Sequence, residues 1–248
     1  MNTTKKIYFA SDFHLGIPDQ KSSLVREKKI VQWLDQIKHD AEEIYLVGDL
    51  FDFWFEFDLV VPKGFTRLLG KLAEICDAGI PVHIFHGNHD LWMFGYFEKE
   101  IGCKVYKSEI TKEINGKKFY ISHGDGIGRG QWFFKFLLAV YRNYFFQRLF
   151  AFFHPSVGLT ISYWFSKRSR EKTFKGNENH YGEKEYHLQF AKEYLKTNTV
   201  DYFIFGHRHL PMDTDVNGSH VVNLGDWINH NSYAVFDGDK VEIKKFEG

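Results

Sequence analysis

Six short apolar runs punctuate the chain: Lys6–Ala10, Glu43–Val47, Pro81–Phe85, Lys118–Ser122, Tyr202–Phe205 and Val221–Leu224. Their length and composition are those of buried strands. Between them, apolar residues recur at helical spacing. Leu24, Val25, Ile30, Val31, Trp33, Leu34 and Ile37 predict a helix between Ser22 and His39. Phe65 to Asp77 predicts a second, with Gly79 as its stop. Asn115-Gly116, Asn217-Gly218 and Asp237-Gly238 are hairpin-turn dipeptides. The chain therefore reads as α/β through about residue 90 and as mixed hairpins and helices beyond it. A layered sandwich of sheets with outer helices is the expected architecture.

A length of 248 residues suits one large domain, or one domain carrying an insertion. The formal net charge is zero, which argues against a nucleic-acid binder that works by bulk positive charge. Two cysteines, Cys76 and Cys103, exclude a disulfide framework and a cysteine-rich zinc module. The polar stretch Met1–Lys6 leads directly into a short apolar segment, unlike a signal peptide, so a cytosolic location is expected.

The neutral total hides an asymmetry. Arg129–Gly176 holds nine Lys/Arg and one acid, a formal +8, against −8 for the rest of the chain. It also holds 15 of the 45 aromatic residues, among them Trp132, Phe133, Phe152 and Trp164. Basic and aromatic together are the composition of a surface that meets lipid headgroups and acyl chains. Leu149–Ser166 has 18 residues without Asp, Glu, Lys or Arg, but His154-Pro155-Ser156 and Gly158 interrupt it. Two short helices joined by a turn are predicted there, and no membrane span.

The chemistry lies just past the strands. The first five runs lead into Asp12-Phe13-His14, Gly48-Asp49-Leu50-Phe51-Asp52, Gly87-Asn88-His89-Asp90, His123-Gly124-Asp125 and Gly206-His207-Arg208-His209. In α/β folds, ligands bind beyond the carboxyl ends of the strands. Glycine there lets backbone and ligand approach closely. The donors are carboxylates, imidazoles and one amide, with no thiolate, which suits Mn²⁺, Fe²⁺ or Zn²⁺. Asp12 and His14 are separated by one residue, as are His207 and His209, so each pair can face one ion. Seven to eight such ligands are too many for one tetrahedral ion and suit two, about 3.5–4 Å apart.

The series D-x-H, G-D-x-x-D, G-N-H-D, H-G-D, G-H-x-H, in that order from Asp12 to His209, resembles the calcineurin-like metallophosphoesterase superfamily. The resemblance implies an α/β class fold, a four-layered α/β/β/α sandwich with a helical insertion, around a dinuclear metal site. It implies one metal on Asp12, His14, Asp49 and His209, and the other on Asp49, Asn88, His123 and His207, with Asp49 bridging. Water activated between the ions would attack phosphorus. His89 would stabilise charge or protonate the leaving oxygen, oriented by Asp52. Mn²⁺ is the expected metal.

Within the superfamily the chain resembles the UDP-2,3-diacylglucosamine diphosphatases of lipid A synthesis. Their best-known branch has Arg at the position of His89 and Glu at that of Asp52. The resemblance implies hydrolysis of the pyrophosphate bond to UMP and 2,3-diacylglucosamine 1-phosphate, on the cytoplasmic face of the inner membrane. The domain is expected to span residues 1–248, with a lipid-binding helical insertion over residues 129–195. Arg168, Ser169 and Lys172 are its expected substrate contacts. The alternative is a soluble dinuclear phosphoesterase acting on nucleotides or another phosphodiester, with the insertion as an ordinary lid. A nuclease is disfavoured, because the −8 remainder would repel a phosphate backbone.

Overall fold

The computed structural model describes residues 5–127, 132–173 and 181–248. The first half alternates: β1 (Lys6–Ala10), α1 (Gln20–Ile37), β2 (Ala41–Leu46), α2 (Thr66–Asp77), β3 (Val82–Phe85) and, after a short π-helical turn, β4 (Lys104–Tyr106). A hairpin of β5 (Ile110–Ile114) and β6 (Lys117–Ser122) follows. Then come three helices, α3 (Trp132–Arg142), α4 (Tyr144–Ala151) and α5 (Pro155–Thr173), and a fourth, α6 (Tyr186–Tyr194). The chain closes with β7 (Tyr202–Phe205), β8 (Met212–Val216), β9 (Ser219–Asn223), β10 (Ser232–Phe236) and β11 (Val241–Lys245).

Two sheets result, ordered β11-β10-β1-β2-β3-β4 and β5-β6-β7-β9-β8. Strand alternation assigns the layers. On β1, Tyr8 and Ala10 face α1 and α2, packing with Trp33, Leu34, Leu68 and Leu72. Ile7 and Phe9 face the other way, into an inter-sheet core with Phe119, Ile121, Ile204 and Val222. The second sheet's outer side, Tyr120, Phe203 and Phe205, is covered by Leu188 and Ala191 of α6. The order is thus helix, sheet, sheet, helix.

Local chemistry fixes the helix starts. Asp19 caps α1, its Oδ1 accepting from the backbone N–H of Lys21 and Ser22, both at 2.9 Å. The residue before α2, Phe65, offers no such cap. Buried Glu27 of α1 supplies it, accepting from Arg67 N–H at 2.8 Å and Leu68 N–H at 3.1 Å.

Two expectations are corrected. α6 lies inside the expected insertion 129–195, yet it is a layer of the sandwich, because Leu188 and Ala191 give it an apolar face for the second sheet. The projecting helices are α3, α4 and α5. Asp237-Gly238 begins a four-residue connection rather than a two-residue turn, since Asp237 Oδ1 accepts from both Asp239 N–H and Lys240 N–H. No helix among the described residues is long and apolar enough to cross a membrane, and α4 and α5 are separated at Phe152–His154. Cys76 and Cys103 are free thiols with Sγ atoms 3.7 Å apart.

Candidate metal centre

The loops beyond β1, β2, β3, β6 and β7 converge at one end of the sandwich. They form three overlapping groups: Asp12, His14 and His209; His14, Asp49 and His89; and Asp49, His123 and His207. Asp12 Oδ1 lies 3.2 Å from His209 Nε2 and 3.5 Å from His14 Nε2. Asp49 Oδ2 lies 3.6 Å from His14 Nε2 and 3.3 Å from His123 Nε2, so one carboxylate oxygen faces both halves. Asn88 Oδ1 reaches His123 Nε2 at 3.3 Å. The seven residues expected as metal ligands are therefore brought together.

The backbone bends to achieve this. Nine described non-glycine residues have positive φ, and five of them are Asp12, His14, Asp49, His207 and His209. Such conformations cost of order 1–3 kcal/mol each and persist only where surrounding contacts enforce them. The contacts are visible. His14 N–H donates to Asp49 O at 2.9 Å, and Arg26 of α1 donates to His14 O at 2.8 Å. Buried Asp90 accepts from the N–H groups of Gly87, Leu50, Asp49 and Phe51 at 2.7–3.3 Å, joining the G-D and G-N-H-D loops. Only glycine fits at position 87, where a Cβ would stand 2.1 Å from Asp49 Oδ1.

Several features fit a bound cation. Asp12 Oδ2 accepts from Ser11 Oγ and from His207 N–H (2.9 Å), while buried Asp12 Oδ1 has no hydrogen-bond donor. His123 Nδ1 donates to Val47 O at 2.8 Å, which leaves the Nε2 lone pair turned inward. His209 Nδ1 faces Asp226 Oδ2 at 3.4 Å, again freeing Nε2. The Nε2 atoms of His14 and His209 stand 3.1 Å apart, close enough to face a common cation or to share a proton. The donors are oxygen and nitrogen only, as hard-to-borderline divalent ions require.

The electrostatics agree. Burial opposes charge on Asp12 and Asp49, yet the surrounding histidines hold both carboxylates below the usual range. Burial likewise disfavours charged His209, but Asp12 and Asp226 lift it to about 9. His207 is lowered to about 4, first by burial and then by His123. Asp90 is pushed up to about 7 by burial and by the neighbouring Asp49.

His89 is half-buried at the rim. Its Nδ1 donates to the backbone carbonyl of Asp52 at 2.9 Å. This revises the expected pairing: the Asp52 carboxylate is 3.7 Å from that nitrogen and instead accepts from Ser166 Oγ of α5 at 2.6 Å. Arg168 is exposed on α5, its guanidinium 5.5 Å from the Trp164 ring, and none of its described contacts reaches the histidine–carboxylate cluster. The side chains of Ser169 and Lys172 lie outside the described residues.

Sequence reasoning missed the outer partners. Asp226 was findable, because the sixth apolar run also ends in a glycine and an acid, Gly225-Asp226. Its Oδ1 is held by the N–H groups of Asn229 and His230. Asp90 stood inside a motif already singled out. His187 carried no signal: fully buried, it stacks on Phe205 and bonds Gly124 O at 3.3 Å through Nε2.

The helices α3 and α5 border this centre. Phe134 lies 6.0 Å from the His207 ring, and Arg142 lies 3.5 Å from Asp125. Trp92 Nε1 donates to Tyr141 O at 2.7 Å. Away from these contacts the surface is apolar. Trp132 is 75% exposed, Tyr144 73%, Phe145 68% and Phe152 85%.

Comparison with known proteins places this geometry. The calcineurin-like phosphoesterase family matches over residues 5–211. The UDP-2,3-diacylglucosamine hydrolase of Porphyromonas gingivalis (strain ATCC BAA-308 / W83) is 41% identical, over 98% of both chains. Proteins of the same name from Proteus mirabilis (strain HI4320) and Shewanella halifaxensis (strain HAW-EB4) are each 27% identical. They cover 96% and 95% of this chain and 98% and 95% of their own length.

Proposed function

Because the chain belongs to the calcineurin-like phosphoesterase family, we propose that it hydrolyses the pyrophosphate bond of UDP-2,3-diacylglucosamine. Water is added across the bond, giving UMP and 2,3-diacylglucosamine 1-phosphate. One observation carries the reading: a buried oxygen-and-nitrogen metal cluster stands beside helices whose aromatic side chains face outward. A phosphodiesterase of small substrates needs the cluster alone. A glycolipid enzyme needs both. The 41% identity to a protein named for this substrate supports the same choice.

Asp12, His14, Asp49 and His209 would hold one divalent ion, and Asp49, Asn88, His123 and His207 the other. Mn²⁺ is our assignment, with Fe²⁺ and Zn²⁺ compatible with the same donors. When bound, two such ions lower the pKa of water and neutralise phosphoryl oxygens. The remaining work belongs to the chain. The carbonyl of Val47 fixes the His123 tautomer, and the Asp226 carboxylate stands 3.4 Å from His209 Nδ1. His89, held at Nδ1 by the Asp52 carbonyl, has Nε2 available to donate to the departing phosphate oxygen. α3, α4 and α5 form the lipid-binding lobe of a single domain, with Arg168, Ser169 and Lys172 as phosphate or sugar contacts. Their outward rings and basic charge would seat the enzyme on the cytoplasmic face of the inner membrane.

Phosphorus-31 NMR of the Mn²⁺-loaded protein with UDP-2,3-diacylglucosamine in detergent tests this. UMP and a sugar 1-phosphate should appear together. Intact glycolipid alongside rapid cleavage of bis-p-nitrophenyl phosphate would overturn the substrate and favour a small-diester phosphoesterase.

A further inference from the structure

One face of α5 rests on the loops that carry the metal cluster. Ser166 Oγ donates to Asp52 Oδ2 at 2.6 Å. Three residues earlier, on the same helix face, the Tyr163 ring meets Phe53 edge-on, with centroids 6.2 Å apart and planes at 70°. The same ring lies over Gly16, where a Cβ would be 3.4 Å from Tyr163 Cε1. Gly16 and Phe53 directly follow two paired residues, since Asp52 N–H donates to Leu15 O at 2.9 Å.

Asp52 is therefore the meeting point. Its N–H is held by the loop after β1, its carboxylate by α5, and its carbonyl holds His89 Nδ1 at 2.9 Å. The residue is 1% exposed, and a buried carboxylate needs its donors. A serine within a helix commonly bonds back to a carbonyl four residues earlier. Ser166 instead reaches across to this carboxylate. Any rotation of the Asp52 side chain that drags its backbone displaces the acceptor of His89.

We propose that Ser166 is a positioning residue for His89. Its hydroxyl fixes Asp52, Asp52 fixes the imidazole, and the alignment of His89 with the departing oxygen depends on how α5 is seated. The lobe is thereby connected to the phosphoryl-transfer step through the hydrogen bond from Ser166 to Asp52. The inference rests on the role given to His89 above.

The test measures kcat and KM for UDP-2,3-diacylglucosamine and for bis-p-nitrophenyl phosphate in Ser166→Ala, Ser166→Thr, His89→Ala and the double variant S166A/H89A. S166A should lower kcat about tenfold on both substrates, because small misplacement of a catalytic group is costly, with KM changed less than about twofold. Ser166→Thr, which keeps the hydroxyl, should recover most of the loss. In the H89A background, S166A should lower the residual diester rate no further, the non-additivity expected of two residues acting in series. A rise in KM with kcat intact would make Ser166 a lipid contact only and overturn the proposal. So would full additivity with H89A, or kinetics unchanged from the parent protein. If S166A does not fold, S166T and Ser166→Cys are ranked in its place; equal kcat in serine, threonine and cysteine forms would overturn the proposal. If the parent protein leaves the glycolipid intact, the substrate reading fails, and the diester rates still decide the role of Ser166.

Discussion

The metal cluster and the helical lobe beside it are built on opposite terms. In the cluster, Asp12, His14, Asp49 and His123 are buried, and backbone strain is held by Arg26 and Asp90. In the lobe, Leu138 is the one buried residue of α3 and α4 has none. Around the cluster most side chains are held by buried polar partners, such as Asp12 by Ser11 and His207, and His123 by Val47. Over much of the lobe, large rings have none on their outer side. A centre that must place reacting atoms within fractions of an ångström gains from over-determination. A surface that, as proposed, accepts flexible acyl chains would gain from broad apolar contact without fixed geometry. On the function proposed above, the first region would carry the reaction and the second the choice of substrate.

The sharpest way to separate the two is to destroy one. Asp49→Ala removes the oxygen that faces both halves of the cluster. Turnover of lipid and of small diester should fall by about three orders of magnitude or more, and metal content by mass spectrometry should drop. Vesicle cosedimentation should stay as in the parent protein. Loss of vesicle binding would show that the two regions are not independent.

His89→Ala should keep both metals and lower kcat about a hundredfold, since it removes one proton donor and no ligand. A normal kcat with full metal content would remove His89 from the chemistry.

The converse experiment alters the lobe. Replacing Trp132 and Phe152 by Ser should weaken vesicle binding about tenfold or more, from the apolar area withdrawn. The melting temperature and the rate on bis-p-nitrophenyl phosphate should hold, because both rings are already in solvent. A melting temperature lowered by many degrees would mean that these rings support the fold.

The last effect is electrostatic and touches stability rather than turnover. Burial, then the neighbouring His207, lowers His187 to about 3. The unfolded chain takes up this proton near pH 6.5. The stability gained from keeping His187 neutral is complete above that value. It should be lost as pH falls from about 6.5 towards 3, at up to about 1.4 kcal/mol per pH unit. His187→Gln should flatten that part of the stability–pH curve, read by urea titration at several pH values. An unchanged slope would place the acid sensitivity elsewhere.

The legibility of the two regions in the sequence differs for the same reason. Strand-end residues such as Asp12, Asp49 and His207 are visible because buried strands are apolar and a charged group at their end breaks the pattern. Asn115-Gly116 and Asn217-Gly218 were readable as turns, because Asn and Gly tolerate the positive φ that both pairs adopt. Lys104–Tyr106 was not readable as a strand: three residues long, with a lysine at the sheet edge, it offers almost no alternation. The roles of the outer partners were not readable because a second layer of hydrogen bonds follows tertiary contacts, as when Asp90 ties together loops about 40 residues apart. The lobe was legible as composition and as two helices broken near His154-Pro155, but not as a surface. Fifteen aromatics announce apolar contact, but no periodicity says which rings turn outward.

The placement of the strands has a consequence for how the molecule comes into being. β1 lies between β2 and β10, so until Ser232–Phe236 has been synthesised the first strand has one neighbour only. His14 and His209 meet across 195 positions. A growing chain on the ribosome would carry Asp12, His14 and Asp49 long before their counterparts exist, and could offer a metal no more than half a seat. A site that uses both halves is therefore complete only once His207 and His209 have been made, and ion capture should report folding of the later half onto the earlier one.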